Sequence, residues 1–335
     1  MTRRLDEIRY SYTFGHPVPS VELRPGDRVT IACPDSDNFR ADGTPLPHDR
    51  TVAAGGGLVS DPFPGNPVAG PIRIAGTQPG DALAVCIEAI DLDRPTGRTL
   101  LAPGHGLIPP PLLTIDLPSP DVPRHMYQWN IDLAQRVARL SNPLGPPGDV
   151  VVPLRPFLGC IGVGPAHGQQ ISSLYAGPHG GNMDLPCFGP GALAILPIYA
   201  DGAGLALGDV HAAQGHGEIV GGGIETSAKV TVSVHRLPSD ELACVRAIDA
   251  TRVYAVATDG DLRQAIQHAN ANLLRWLDRW LGMNRFDTYQ LLSQCGELIL
   301  GNCVTSPYTA AAALAIDALP RRVHDRVEAM RKGQP

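Results

Sequence analysis

From Glu22 to about Ile90, short apolar-polar alternations are cut by turn residues, which is the pattern of strands joined by tight connections. Two segments, VELRPGDRVTIAC and IRIAGTQPGDALAVCIEAI, each place a Pro-Gly-Asp turn (Pro25 to Asp27, Pro79 to Asp81) ahead of an alternating run such as Leu83, Val85 and Ile87. This weak repeat of turn plus strand predicts a β-sandwich or jelly-roll-like N-terminal half. Seven prolines between Pro103 and Pro123, and more in NPLGPPGDVVVPLRP, predict extended connection, with one short helix near NIDLAQRVARL. Strands resume from Val151 in VVPLRPFLGCIGVG, GALAILPIYA and TSAKVTVSVHRL. In the last of these Val230, Val232 and Val234 face one way, and Lys229, Thr231 and Ser233 the other.

The C-terminal third changes period. Leu262, Ile266, Ala269, Leu273, Trp276 or Leu277, and Trp280 recur every three or four residues, with Asp259 or Asp261 available to cap a helix over roughly 261–281. Asn284 with Asp287 opens a second helix through about Gln294, and Pro320 suits the first turn of a last one ending near Lys332. The expected fold class is mainly β with an α+β C-terminal portion, its helices appended late. The proline-rich middle suggests a β-rich N-terminal domain over 1–145 and a catalytic region over 146–335, or one intertwined unit.

Composition narrows the function. With 37 glycines and 33 prolines but 43% hydrophobic residues, the 335-residue chain is turn-rich rather than disordered. A formal net charge of -6 with dispersed arginines leaves no footprint for nucleic acid, so a small, roughly neutral ligand fits better. Seven cysteines without a CxxC pair suit a reducing compartment, and the N-terminus has no apolar run behind its basic residues; a cytoplasmic protein is expected.

Two glycine-cushioned polar clusters carry the candidate chemistry. GPHGGNMDLP holds His179, Asn182 and Asp184, and LGDVHAAQGHGEIVGGGIET holds Asp209, His211, Gln214, His216, Glu218 and Glu225. Asp209 and His211, two apart, project to one face of a strand. Oxygen and imidazole donors suit zinc or another divalent ion, and the scarcity of nearby thiolates argues against a structural cysteine site. An isolated Asp-x-His pair would read equally well as a surface pair; two clusters that can converge at one sheet end favour a site. His48 and His105 are loop histidines that could join from afar. Gly217 and Gly221 to Gly223 lack the Lys-Ser/Thr of a phosphate loop, GCIGVG is followed by no helix, so Cys160 reads as a small core residue, and there is no Gly-x-Ser-x-Gly elbow.

The segments NPVAGPIRIAG with its following PGD, PGHGLI, VPLRPFLGCIGVGP, GPHGGNMD and LGDVHAAQGHGE, with the helical stretch ANLLRWLDRWLGMNRFDTYQLLSQCGEL and LILGNCV, resemble the acetamidase/formamidase family over nearly the whole chain. The resemblance implies a cytoplasmic, homo-oligomeric (dimeric or trimeric) hydrolase that releases ammonia from a short aliphatic amide. It also implies a divalent metal, zinc first among the choices. Carried onto this chain, Asp184, Asp209 and His211 become metal ligands, Glu218 and His179 catalytic residues, and Asn182, Gln214 and Asp35 substrate-binding residues. Where members typically read Gly-Asp-Gly-His and Gln-Gly-Asp-Gly-Glu, this chain has Val210 and His216, which bears on substrate choice. A carbamate or urea-like substrate is the nearest alternative, and a noncatalytic metal- or small-molecule-binding β-sandwich is the alternative from another class.

Overall fold

Both Pro-Gly-Asp turns form with the same local chemistry. Asp27 Oδ2 accepts from Arg24 N at 2.8 Å and Asp81 Oδ2 from Gln78 N at 3.0 Å, and each turn delivers the chain into a long strand, Arg28–Cys33 and Ala82–Leu92. The computed structural model describes residues 3–5, 8–15, 18–46, 65–146, 148–238 and 243–331; His48 lies outside them.

Among the described residues a nine-stranded sheet runs in the order Arg3–Leu5, Arg28–Cys33, Ala228–Leu237, Ala82–Leu92, Ala192–Pro197, Arg246–Ile248, Arg252–Asp259, Tyr308–Ala315, Glu297–Leu300. A twelve-stranded sheet lies against it, with Thr96–Leu101, Glu225–Thr226, Leu205–His211, Phe157–Gly162 and Gly180–Asn182 as neighbours in its middle, and Val68–Ile74 pairing with Leu205–His211. The fold is thus mainly β and sandwich-like. Strands from either side of residue 145 enter both sheets, and a division of the chain there stays a proposal.

The strand Ala82–Leu92 explains the layering. Its Leu83, Val85 and Ile87 join Val29, Ile31, Val230, Val232 and Val234 in a core shared with Ile72, Leu158 and Leu207 of the other sheet. Ala82 and Ala84 face the opposite way, into a second core with the helices. A sheet buried on both faces reads as near-continuous apolar sequence, as Ala192–Pro197 does. Among the described residues the longer helices are α1 (Leu262–Leu281), α2 (Arg285–Cys295) and α3 (Arg321–Arg331), all in the C-terminal part; Pro110–Leu113 adds a single turn. In α1, Asp261 caps Gln264 N and the buried stripe is Ala265, Ala269, Leu273, Trp276 and Leu277, with the Arg246 guanidinium 5.5 Å from the Trp276 ring centroid. Asn284 caps α2 through Phe286 N and Asp287 N.

One expectation is corrected. NIDLAQRVARL is no helix: His125–Asp132 and Val137–Leu140 form an antiparallel hairpin, closed where Asp132 Oδ1 accepts from Gln135 N and Arg136 turns left-handed at φ 55°. No helix among the described residues is long and apolar enough to cross a membrane.

Candidate active site

Adjacent strands bring the two polar clusters together. Phe157–Gly162 pairs antiparallel with Leu205–His211 on one side and Gly180–Asn182 on the other. The register runs Phe157↔His211 and Leu158↔Val210, then resumes at Cys160↔Gly208, so Gly159 and Asp209 stand at a skipped step. Asp209 there adopts φ 55°, and Asp184 (51°) and Glu218 (49°) are left-handed too. That conformation costs on the order of 1–3 kcal/mol at a non-glycine residue and tends to gather at functional sites. Val210, between Asp209 and His211, points into the sandwich core, while both polar neighbours reach the site.

His211 is fully buried, its ring edge-on to Phe157 at 5.1 Å. Gln214 sets its tautomer. Gln214 Nε2 donates to the Asp184 carbonyl at 3.0 Å, so Gln214 Oε1 is the atom 2.6 Å from His211 Nδ1, which must carry a hydrogen. Nε2 then faces Glu225 Oε1 at 3.0 Å and Asp209 Oδ1 at 3.5 Å. A neutral ring would aim a lone pair at two carboxylates, so Nε2 needs a second proton or a cation. Burial opposes the imidazolium, yet Glu225 and Asp209 drive the His211 pKa well above its ordinary value.

Four acidic side chains crowd this imidazole. Ligand atoms of Asp184, His211 and Glu218 lie within 4.8 Å of one another, as do those of Asp209, His211 and Glu225. Neither buried carboxylate oxygen of Asp184 accepts a hydrogen bond among the described residues. Burial, then Glu218 and Asp209, hold the Asp184 pKa well above the carboxylate range, and burial pushes Glu218 up to about 8. Ionised together, these groups exceed the one positive charge His211 can offer; a divalent cation would meet both the charge and the orphaned oxygens, and the O and N donor set fits one. Asn66 Nδ2 anchors Asp209 Oδ2 at 2.9 Å and Asn182 Oδ1 at 3.1 Å, and the Cys160 thiol donates to Asn182 Oδ1 at 2.9 Å. Cys160 is buried, as expected, but its sulfur serves the site.

A cavity of about 600 Å³ opens onto this cluster, and Asn66, Asn182, Asp209, His211, Glu218 and Glu225 line it. Other expected residues fall elsewhere. His179 is buried edge-on against Phe14, with ring centroids 5.2 Å apart, and does not line the cavity; burial lowers its pKa to about 4. Asp35 is buried behind the wall, where it holds Arg94, Arg98 (2.9 Å) and Phe39 N (2.8 Å); Arg98 is the member that reaches the cavity. Both ends of the Gln214 amide are occupied by protein, which places it behind His211 rather than against a ligand. His105 does reach the cavity, its ring 2.8 Å from the Gly221 carbonyl, and His216 is exposed. Sequence reasoning assigned no role to Asn66, Glu225 or Asn302. Glu225 stood in the second cluster, but Asn66 and Asn302 come from distant segments without a spacing signal.

A model of the acetamidase/formamidase family matches residues 174–242, the stretch that holds Asn182, Asp184, Asp209, His211, Glu218 and Glu225. No curated protein matches the sequence. Among solved structures, an acetamidase from Yersinia enterocolitica is 30% identical, with TM-score 0.79 over 96% of this chain and 94% of that one. An acetamidase from Bacillus halodurans is 27% identical, with TM-score 0.75 over 95% and 98%. A gamma lactamase from Delftia acidovorans shares the fold alone, at 18% identity and TM-score 0.55 over 95% and 91%. With near-complete mutual coverage at that first identity, and a family match spanning both glycine-rich clusters, this chain belongs to the acetamidase/formamidase family.

Proposed function

We propose that this hydrolase of linear-amide carbon–nitrogen bonds acts on short aliphatic amides of the formamide or acetamide type, with a divalent metal, zinc first, held by Asp184, Asp209 and His211. The observation that carries the reading is the buried cluster itself: an imidazole with Nδ1 already engaged and Nε2 turned to carboxylates, beside an Asp184 whose oxygens find no N–H or hydroxyl donor among the described residues. A bound divalent ion supplies Lewis acidity, which polarises an amide carbonyl and makes water a better acid.

The chain's own residues do the rest. Gln214 fixes the His211 tautomer, and Asn66 fixes Asp209. Glu218 shares the His211 cluster and lines the cavity, and its carboxylate would take a proton from the attacking water and return it to the departing nitrogen. The Asn182 amide group has its oxygen occupied by Asn66 and Cys160, which leaves its NH2 to orient an uncharged substrate. The family reading also carries a cytoplasmic homo-oligomer. A cavity of about 600 Å³ is far more than a two-carbon amide fills, which favours, as the second reading, a carbamate or substituted urea that carries a larger group on its oxygen or nitrogen.

The test is ammonia release from formamide, acetamide, propionamide and a carbamate, before and after chelation and with zinc, manganese or calcium restored. Release that chelation abolishes and one metal recovers is expected. Turnover that survives complete chelation would overturn the metal assignment, and a carbamate preferred over all three amides would favour the second reading.

A further inference from the structure

Asn302 follows the edge strand Glu297–Leu300, more than seventy residues beyond the acidic cluster, yet it lines the same cavity as Asp209, His211, Glu218 and Glu225. Several contacts bring it there. Its backbone N–H donates to the Met183 carbonyl at 3.0 Å, between Asn182 and Asp184 in the chain, and Gly217 N donates to Leu300 O at 2.9 Å, which ties the Glu218 loop to the same turn.

Its side-chain orientation is decided by its neighbours. Asn302 Oδ1 accepts from Val304 N at 2.9 Å and Thr305 N at 3.0 Å, so the oxygen faces its own turn and the NH2 faces away from it. That NH2 has no acceptor among the described residues, although the residue is only 3% exposed. Asn182 is arranged alike, its Oδ1 held by Asn66 and Cys160 and its NH2 without an acceptor among the described residues. Two uncharged amide donors therefore stand at the wall of a cavity that also holds the carboxylates of Asp209, Glu218 and Glu225. Neither nitrogen is among the sealed, unpartnered polar atoms of the interior, so each is open to the cavity and can donate to a ligand oxygen there.

We propose that Asn302 is a substrate-binding residue whose NH2, together with that of Asn182, receives the carbonyl oxygen of the amide. This rests on the amide-hydrolase reading above. A neutral amide donor suits this place because it can hold an uncharged carbonyl and strengthen its bond as charge develops on that oxygen, without pairing permanently with the surrounding carboxylates.

Asn302→Asp keeps an acceptor for Val304 N and Thr305 N and removes the NH2; Asn302→Ala removes both. In the metal-loaded full chain, kcat/KM for propionamide is expected to fall about 100-fold or more in each. The melting temperature of Asn302→Asp should stay near that of wild type. In wild-type protein the side-chain ¹⁵NH2 resonance of Asn302 should shift as propionamide is titrated, a readout that needs neither a folded variant nor turnover. Variants within threefold of wild type, or an Asn302 resonance that propionamide leaves unmoved, overturn the proposal. Wild-type protein that shifts this resonance without releasing ammonia keeps Asn302 as a binding residue and overturns the short-amide substrate reading instead.

Discussion

At position 159 a hydrogen stands where any other residue would place a Cβ, 2.6 Å from Asp209 Oδ2 and 2.7 Å from Asp184 Oδ1. A Cβ added at Gly223 would likewise lie 2.6 Å from the His211 ring. Such absences of side chain set how closely acids and imidazole can gather, so the glycine cushioning visible in the sequence has a steric meaning. Gly159→Ala should drive the two carboxylates apart and weaken both zinc affinity, measured by calorimetry, and kcat/KM by about 10- to 100-fold, the range for groups that support ligands from behind. Unchanged zinc affinity would show that the two acids do not share an ion. His179 belongs to stability rather than to the cavity wall. Burial lowers its folded pKa from 6.5 to about 4, so it stays neutral while the unfolded chain takes up a proton below pH 6.5. Its contribution is complete above that value and is lost as pH falls toward 4, an effect of up to about 3 kcal/mol. The difference in unfolding free energy between wild type and His179→Leu should therefore change with pH between 6.5 and 4 and be flat above 7; a difference constant across the whole range would contradict it.

At the scale of elements, capping and turn chemistry were legible because they depend on neighbours three or four residues away. Asp261 and Asn284 cap the helices they were expected to cap, and both Pro-Gly-Asp turns form. Asp261→Ala should remove the bond to Gln264 N, cost about 1 kcal/mol and lower the melting temperature by about 2 °C, with kcat/KM unchanged. A matching loss of activity would mean that α1 acts on the site, which no contact suggests. The sequence of the hairpin at 125–140 invites a helix because Leu133, Val137 and Leu140 mimic a helical period. In the structure Leu133 is a 53%-exposed turn residue, and Ile131 instead pairs across to Ala138. Sparse apolar positions fit either period, and pairing with the neighbouring strand Thr96–Leu101 decided between them.

Over the whole molecule, a sandwich core on one face of the nine-stranded sheet and a helical layer on the other leave the site at the middle of the twelve-stranded sheet. Parts of the chain as distant as Asn66, Gly159, Asp184, Glu225 and Asn302 meet there. The sequence alone determined the mainly β class, the late helices, their caps, and the two polar clusters with His211, Asp184, Asp209 and Glu218, because periodicity, capping and glycine content are local properties. Only the tertiary structure decided which histidine stands among the acids. His179 and His211 look alike in sequence, yet one packs on Phe14 and is held neutral, while the other faces two carboxylates. It likewise turned Asp35 into the anchor of Arg94 and Arg98, gave Gln214 to His211, and recruited Asn66 and Asn302. Burial, charge and hydrogen-bond partnership are set by neighbours in space, and here hydrogen-bonded neighbours such as Asn66 and Asp209 lie 143 residues apart along the chain.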